Sequence, residues 1–308
     1  MVDQVSLLQW IAQSDRLLWG EFYPEPALLT RAEMLGTSEA AAVWGIDMLT
    51  LPPLCKKIDQ EKSHVDLFGR YQNQVQKLAE LMDKEFPVCD DYFLTDWDAA
   101  KKHHIKTSLL LEGPIQMLSN VMPFEAFLIA CMKEQRLMKD IMERYAAYLL
   151  QVVELAKQQG ALAVVLGDDV AGQAGLMYSP RWLDVMYFPW LEDFVRQTKM
   201  QVVVHSDGDI RSLVDRYRSV GVVGVQSVER AASMRVEELV EKYPDFLFWG
   251  GIDSVCFQGE MDLLREEISR LKKLKKQGAL LMAGSSTGLL DGGMEPAAFI
   301  EMGKCLRA

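Results

Sequence analysis

The sequence predicts an α/β fold, a single (β/α)8 TIM barrel with an N-terminal helical extension, as one domain over residues 1–308. The first observation behind this prediction is that the apolar runs Ala161–Leu166 and Gln201–Val204 are continuous, which is typical of strands buried on both faces of a parallel sheet. The second is that eight strand candidates alternate with helical segments, the count of a (β/α)8 barrel. An open doubly wound sheet would fit the same pattern if the first two strands were miscounted.

The first half of the chain supplies a leading helix and three strands. Residues 3–14 have an amphipathic helical pattern, with Val5, Leu8 and Ile11 on one side. The three predicted strands are Arg16–Phe22, Ile46–Leu51 and Lys106–Glu112. Helical patterns cover Glu33–Val43, Val65–Phe86 and most of Pro123–Gln159, and Cys89–Trp97 is a minor strand or a loop. Prolines and glycines end several of these elements, because they cannot continue them.

The second half of the chain repeats one strand and one helix five times. Its predicted strands are Ala161–Leu166, Gln201–Val204, Val222–Gln226, Phe246–Trp249 and Ala279–Ala283. Its predicted helices are Pro180–Thr198, Ile210–Val220, Arg235–Lys242, Asp262–Gln277 and Pro296–Leu306. This regular alternation is the strongest indication of the barrel.

Charge and composition restrict the partners that we expect. The net charge of -11 argues against a nucleic-acid partner, since binding to phosphates requires a basic surface. Five cysteines form no CxxC pair and are interpreted as reduced thiols. No signal-peptide pattern and no apolar run of membrane-spanning length is evident, so we expect a cytoplasmic protein without a membrane partner. A homodimer is compatible with the sequence, which does not determine the oligomeric state.

In a barrel, chemistry collects where the strands end, and here the residues at the strand ends are mostly acidic. They are Glu21, Glu112, Asp168, Asp169, His205, Asp207, Gln226, Glu229, Asp253, Ser285 and Ser286. Such a surface suits a cation better than a polyanion. We expect substrate contacts from seven side chains, two of them in a loop after a strand: Asp168, Met177, Tyr178, Gln226, Glu229, Asp253 and Ser285.

Two carboxylates and one imidazole form the candidate metal site. Asp169 and His205 follow neighbouring strands, and Asp184 lies in the intervening helix, from which it has to fold back over them. Two oxygens and one nitrogen would leave an open position on zinc for a substrate. Asp207 is a fourth candidate ligand that could equally cap the next helix. The alternative is structural: Asp169 caps its loop, Asp184 is solvated and His205 hydrogen-bonds to the acids.

Several segments, taken together and in order, resemble the uroporphyrinogen decarboxylase superfamily. They read GDDVAGQAGLMYSPRWLDVMYFPW, HSDGDIRSLV, GVVGVQSVE, WGGIDS and a GSSTG turn followed by EPAAFIEM. The resemblance covers at least Lys106 to the C-terminus and implies a (β/α)8 barrel. True decarboxylases of the superfamily carry an arginine-rich motif that holds the substrate carboxylates, whereas this chain reads LLWGEFYPEP there, with Glu21 and Glu25 where cations would be needed.

The methyltransferases of the superfamily offer two further comparisons. Those that methylate thiols bind zinc through a His-x-Cys pair and a later Cys; here His205 matches, but Asp207 stands at the first Cys position and serines occupy the late turn. Those that begin corrinoid-dependent O-demethylation use acid, acid and histidine at spacings similar to Asp169-x14-Asp184-x20-His205, with Glu where this chain has Asp. The resemblance therefore favours the corrinoid-dependent methyltransferase branch.

The leading hypothesis is a zinc-dependent methyltransferase that moves a methyl group between a small methyl ether or methylamine and the cobalamin of a partner corrinoid protein. Zinc on Asp169, Asp184 and His205 would polarise the leaving atom, and Asp207 or Glu21 would handle its proton. One alternative is a decarboxylase-type lyase acting on a porphyrinogen. The other is a non-catalytic binding protein that kept the barrel.

Overall fold

Eight parallel strands form one sheet that curls into a nearly closed barrel. The structure is a computed structural model, which describes residues 5–55, 75–82, 92–94, 97–286, 290 and 293–308. We label the barrel strands in chain order: β1 Gly20–Phe22, β2 Met48–Leu51, β3 Lys106–Glu112, β4 Ala163–Gly167, β5 Gln201–His205, β6 Gly224–Val228, β7 Leu247–Ile252 and β8 Leu281–Ser285. All eight lie at the predicted places, and β3 has the predicted bounds.

Strand order and closure exclude the open doubly wound sheet. The strands neighbour one another in chain order, whereas a doubly wound sheet reverses its order at a switch point. The first and last strands meet at a bridge between Trp19 and Ala283, where the Ala283 amide donates to the Leu18 carbonyl at 2.8 Å. The (β/α)8 barrel predicted from the sequence is therefore confirmed.

Helices surround the barrel in the described part of the chain. They are α1 Leu7–Gln13, α2 Pro26–Arg31, α3 Thr37–Trp44, α4 Trp97–Lys102, α5 Pro114–Val121, α6 Phe124–Lys133, α7 Gln135–Gln158, α8 Pro180–Trp182, α9 Phe188–Thr198, α10 Val214–Ser219, α11 Val236–Lys242, α12 Met261–Lys276 and α13 Pro296–Arg307. Leu183–Tyr187, between α8 and α9, is π-helical. No helix among the described residues combines the length and the apolar character needed to cross a membrane.

Two predictions concern the stretch between β2 and β3. Most of the helix predicted over Val65–Phe86 lies outside the described residues, and within them Leu78–Leu81 is a short 3-10 helix. Within the segment predicted as a minor strand or loop, Tyr92–Leu94 is a strand that pairs antiparallel with Pro53–Cys55. The barrel strands β2 and β3, on either side of this stretch, lie where the sequence predicted them.

The end of the barrel at which the strands begin is filled with apolar side chains. The interior is packed with a cluster of buried residues: Leu18, Phe22, Met48, Ala163, Val165, Val203, Leu247, Trp249 and Met282. Helix α1 packs Leu7 and Ile11 against this cluster. It begins at Leu7 because the Ser6 hydroxyl accepts from the Gln9 amide while the Gln9 side chain accepts from the Ser6 amide. The polar strand-end residues therefore lie at the opposite end, the barrel mouth.

Candidate metal centre

Three side chains at the ends of β4 and β5 come together at the barrel mouth. Gly167 of β4 pairs with His205 of β5, so Asp169 and Asp207, each two residues further on, leave the sheet at the same level. One ligand atom from each of Asp169, His205 and Asp207 lies within 4.8 Å of the others. The His205 Nε2 atom is 3.9 Å from the Asp169 Oδ1 atom and 3.8 Å from the Asp207 Oδ1 atom.

The Asp207 Oδ1 atom is the feature that indicates a cation. It is buried and has no hydrogen-bond partner among the described residues. Burial raises the pKa of Asp207, which nearby His205 opposes and Asp169 reinforces. A buried carboxylate oxygen without a partner costs free energy that a bound cation would offset. Two carboxylates and an imidazole are donors that zinc takes in proteins, so the residues fit a zinc ion.

The loop after β5 is held in place by hydrogen bonds to the loop after β4. The Asp207 amide donates to the Asp169 Oδ1 atom at 3.0 Å, and the Val170 amide donates to the Ser206 hydroxyl at 3.1 Å. Gly208 has a φ of +85°, and a Cβ there would lie 2.6 Å from the backbone of Gly172. The small hairpin after β4, in which Ala171–Gly172 pairs with Gly175–Leu176, thus packs directly on the loop that carries Asp207.

Asp184 is the predicted ligand that the structure does not bring to this group. It lies in the π-helical turn after α8, where its side chain is about half exposed and accepts a hydrogen bond from the Arg216 Nε atom at 2.8 Å. The structure therefore groups Asp169 and His205 with Asp207 rather than with Asp184. The physical reason is that residues two apart in extended chain project to the same side, as His205 and Asp207 do. Asp184 instead stays on its helix surface.

Behind His205, a chain of hydrogen bonds crosses the barrel to Glu21. The His205 Nδ1 atom is hydrogen-bonded to the Gln226 Oε1 atom, and the Gln226 Nε2 atom donates to the Ser285 carbonyl at 3.2 Å. Glu21 accepts from the Ser285 amide and hydroxyl, both at 2.7 Å, and from the Trp19 indole at 2.8 Å. Burial raises the pKa of Glu21 to about 7, although these donors oppose the shift.

Three of the side chains in this chain of hydrogen bonds had been predicted to act on substrate. Gln226 and Ser285, expected to contact the substrate, and Glu21, expected to handle a proton, are each no more than 1% exposed and contact other protein groups. The sequence predicted them at strand ends, whereas the structure places Glu21 and Gln226 within β1 and β6 and Ser285 at the end of β8. The sequence did not show that they lie beneath the mouth rather than in it.

Asp168 also turns away from the mouth. It follows β4 directly, is fully buried, and accepts from the Gln116 amide at 2.9 Å in the first turn of α5. Burial raises the pKa of Asp168 to about 8 despite that hydrogen bond. A Cβ on Gly113 would lie 1.8 Å from the Asp168 Oδ2 atom, so this glycine makes room for the carboxylate. Substrate contact by Asp168 had been expected; the observed contacts hold α5 on the barrel.

The remaining predicted substrate residues lie around the mouth and in a neighbouring cavity. Glu229 is half-buried, and burial, with repulsion from Asp207 and Asp253, raises its pKa to about 7. Asp253 accepts from the backbone amides of Arg230 and Ala231. Met177 and Tyr178 line a cavity of about 500 Å³ between α6 and α8. Their role in substrate binding stays a prediction.

Comparison with known proteins identifies the family. The profile of the uroporphyrinogen decarboxylase (URO-D) family matches residues 98–285, which is more than half of the chain. The protein therefore belongs to the uroporphyrinogen decarboxylase family, as the sequence motifs predicted. No curated protein sequence matches the chain.

A solved methyltransferase structure has the same fold at low sequence identity. A methyltransferase from Methanosarcina mazei is 13% identical, covers 98% of this chain and 97% of its own, and superposes with a TM-score of 0.70. At that identity the likeness shows the fold alone. A probable 3-DHS dehydratase, AsbF, from Bacillus anthracis is 10% identical, with 95% and 99% of the two chains covered and a TM-score of 0.48.

Proposed function

We propose that this protein is a zinc-dependent methyltransferase that moves a methyl group between a small methyl ether or methylamine and the cobalamin of a corrinoid protein. The observation that carries the proposal is the group of Asp169, His205 and Asp207 around the unpartnered Asp207 Oδ1 atom. Family membership and the fold shared with a methyltransferase support methyl transfer as the reaction.

The residues of the chain have separate tasks in this proposal. The Asp169 Oδ1, His205 Nε2 and Asp207 Oδ1 atoms would hold zinc, which when bound supplies a Lewis acid for the heteroatom that carries the methyl group. The filled lower barrel keeps water from reaching the site from below. Asp207, which the sequence predicted to handle a proton, is a zinc ligand in this proposal, and Glu21, the other predicted proton-handling group, is buried beneath the mouth.

The charge of the mouth favours this reaction over porphyrinogen decarboxylation. A porphyrinogen carries several carboxylates, which need cationic partners when they are bound. Around the candidate site the carboxyl groups of Asp207, Asp253 and Asp169 lie close enough to Glu229 to contribute to its raised pKa. They would repel a polyanion, whereas they suit a cation.

The first experiment is elemental analysis of the purified protein and of its His205→Ala variant. We expect about one zinc per chain in the wild type and none in the variant, because the imidazole supplies one of three ligands. His103→Ala is the matched control, since His103 is an exposed turn residue far from β5 in sequence.

Methyl transfer is then tested directly, with methyl ethers and methylamines as donors and a corrinoid protein as acceptor. Zinc binding together with methylation of the cobalamin supports the proposal. Wild-type protein without metal, or His205→Ala protein with undiminished methyl transfer, would overturn it and leave the decarboxylase and the binding protein as the functions to test.

A further inference from the structure

Gln226 lies on the side of the imidazole that faces away from the candidate ligands. Its side chain is 1% exposed and reaches His205 with one amide atom and the Ser285 carbonyl with the other. The His205 ring also stands edge-on to Phe22, with the ring centroids 5.4 Å apart. His205 therefore has one nitrogen, Nδ1, held by the protein and the other, Nε2, directed at Asp169 and Asp207.

The orientation of the Gln226 amide follows from its second partner. A backbone carbonyl only accepts hydrogen bonds, so the atom facing the Ser285 carbonyl must be the amide nitrogen. The other atom, next to His205 Nδ1, is then the amide oxygen, which also only accepts. The hydrogen between them must consequently sit on Nδ1. In the neutral ring this leaves Nε2 without a hydrogen and with a free lone pair.

We propose that Gln226 is a positioning residue that holds neutral His205 in its Nδ1–H tautomer, so that the Nε2 lone pair is ready to bind a metal ion between Asp169 and Asp207. The value of this arrangement to the enzyme rests on the proposed function. The tautomer itself does not depend on it. Partners behind a ligating histidine commonly fix its tautomer and orientation in this way.

The position of Gln226 depends in turn on Ser285 and Glu21. Ser285 is held by two hydrogen bonds to the Glu21 carboxyl group, which also accepts from Trp19. Every polar side-chain atom of Glu21 thus has a partner inside the barrel, and the carbonyl that orients Gln226 is fixed by it. This explains why polar residues of β1, β6 and β8 are buried together.

The test combines the tautomer and the metal affinity. Long-range 1H–15N correlation spectra of the metal-free wild type report which ring nitrogen carries the hydrogen, with the His205 signals assigned by their loss in His205→Ala. Zinc affinity is measured by competition with a chromophoric chelator. Gln226→Met keeps the length of the side chain and removes the acceptor. Thr50→Val is the matched control, since Thr50 is also buried in the barrel and hydrogen-bonds to Ser108.

We expect the Nδ1–H tautomer in the wild type and in Thr50→Val. In Gln226→Met this tautomer should no longer be the only one present. Zinc affinity should fall about 10–100-fold in Gln226→Met, the usual cost of removing such a partner, and remain at the wild-type value in Thr50→Val. A wild-type ring with its hydrogen on Nε2, or a Gln226→Met protein that binds zinc as the wild type does, would overturn the inference. The Nδ1–H tautomer in a wild type that binds no zinc would support the role of Gln226 and refute the proposed function.

Discussion

The carboxylates at the barrel mouth differ from those behind it in how their oxygens are used. Asp207 has a buried oxygen with no hydrogen-bond partner among the described residues, and it lies 3.8 Å from the His205 imidazole. Glu21, within β1, has both oxygens hydrogen-bonded to Ser285 or Trp19. Both carboxylates lie near the carboxyl end of a barrel strand, so that position does not distinguish a ligand from a structural group. Their surroundings do, because the unpartnered oxygen of Asp207 lies beside Asp169 and His205, whereas Glu21 is surrounded by hydrogen-bond donors.

Asp168 and Asp169 point in different directions although they are consecutive residues. Alternation along the chain turns Asp168 towards α5, where it accepts from the Gln116 amide, and turns Asp169 towards His205. We therefore expect substitutions of the candidate ligands at the mouth to affect metal binding most, and substitutions of Glu21 and of the residues packed around Asp168 to affect stability.

The largest effect is expected for Asp207→Asn. It preserves the shape of the side chain and removes the negative charge, so zinc affinity should fall by more than the 10–100-fold typical for loss of a partner behind a ligand. Chelator competition measures the affinity, and urea unfolding of the metal-free protein should show little change. Unaltered zinc affinity would remove Asp207 from the ligand set.

Glu21→Gln should change the pH dependence of stability. The pKa of Glu21 is raised from 4.5 to about 7, so the folded protein binds this proton more tightly than the unfolded chain. Its contribution to the free energy of unfolding is complete below pH 4.5 and is lost as the pH rises through about 7. The loss is of the order of 3 kcal/mol.

The glutamine variant lacks this loss, so its stability relative to the wild type should increase as the pH rises across that range. Urea unfolding of both proteins at several pH values measures the difference. Parallel pH profiles would show that burial of Glu21 has no such effect.

Gly113→Ala should destabilise the protein by about 1–3 kcal/mol, the usual cost of overpacking. The new Cβ would overlap the carboxyl group of Asp168, which is buried and held at the start of α5. Gly172→Ala is the matched control, because a Cβ there meets nothing within 4 Å. Thermal or urea unfolding distinguishes the two, and equal stabilities would contradict the tight fit around Asp168.

The smallest effect is expected for Asp184→Asn. Its ion pair with Arg216 is about half exposed on both sides, and exposed pairs contribute roughly 0–1 kcal/mol. Zinc affinity should equal that of the wild type, which makes this variant the control for Asp207→Asn. A marked loss of zinc would return Asp184 to the ligand set.

The sequence by itself determined the barrel and the position of most of its chemistry. Continuous apolar runs ending in Asp169 and His205 predicted buried parallel strands with polar groups at their ends, because strand burial and strand direction are local consequences of the pattern. The same pattern makes Asp207 a candidate ligand, because it also follows this strand, two residues past His205. The family motifs in this part of the chain were confirmed as well.

Only the tertiary structure decided which of the polar residues face the mouth and which are hidden. Asp184 lies on the surface of its helix beside Arg216, and Glu21, Gln226 and Ser285 join beneath His205, although they are far apart in the chain. Those contacts depend on how the barrel closes and on which donors reach each oxygen. Spacing along one chain does not encode them, because they are formed between strands that meet only when the barrel is complete.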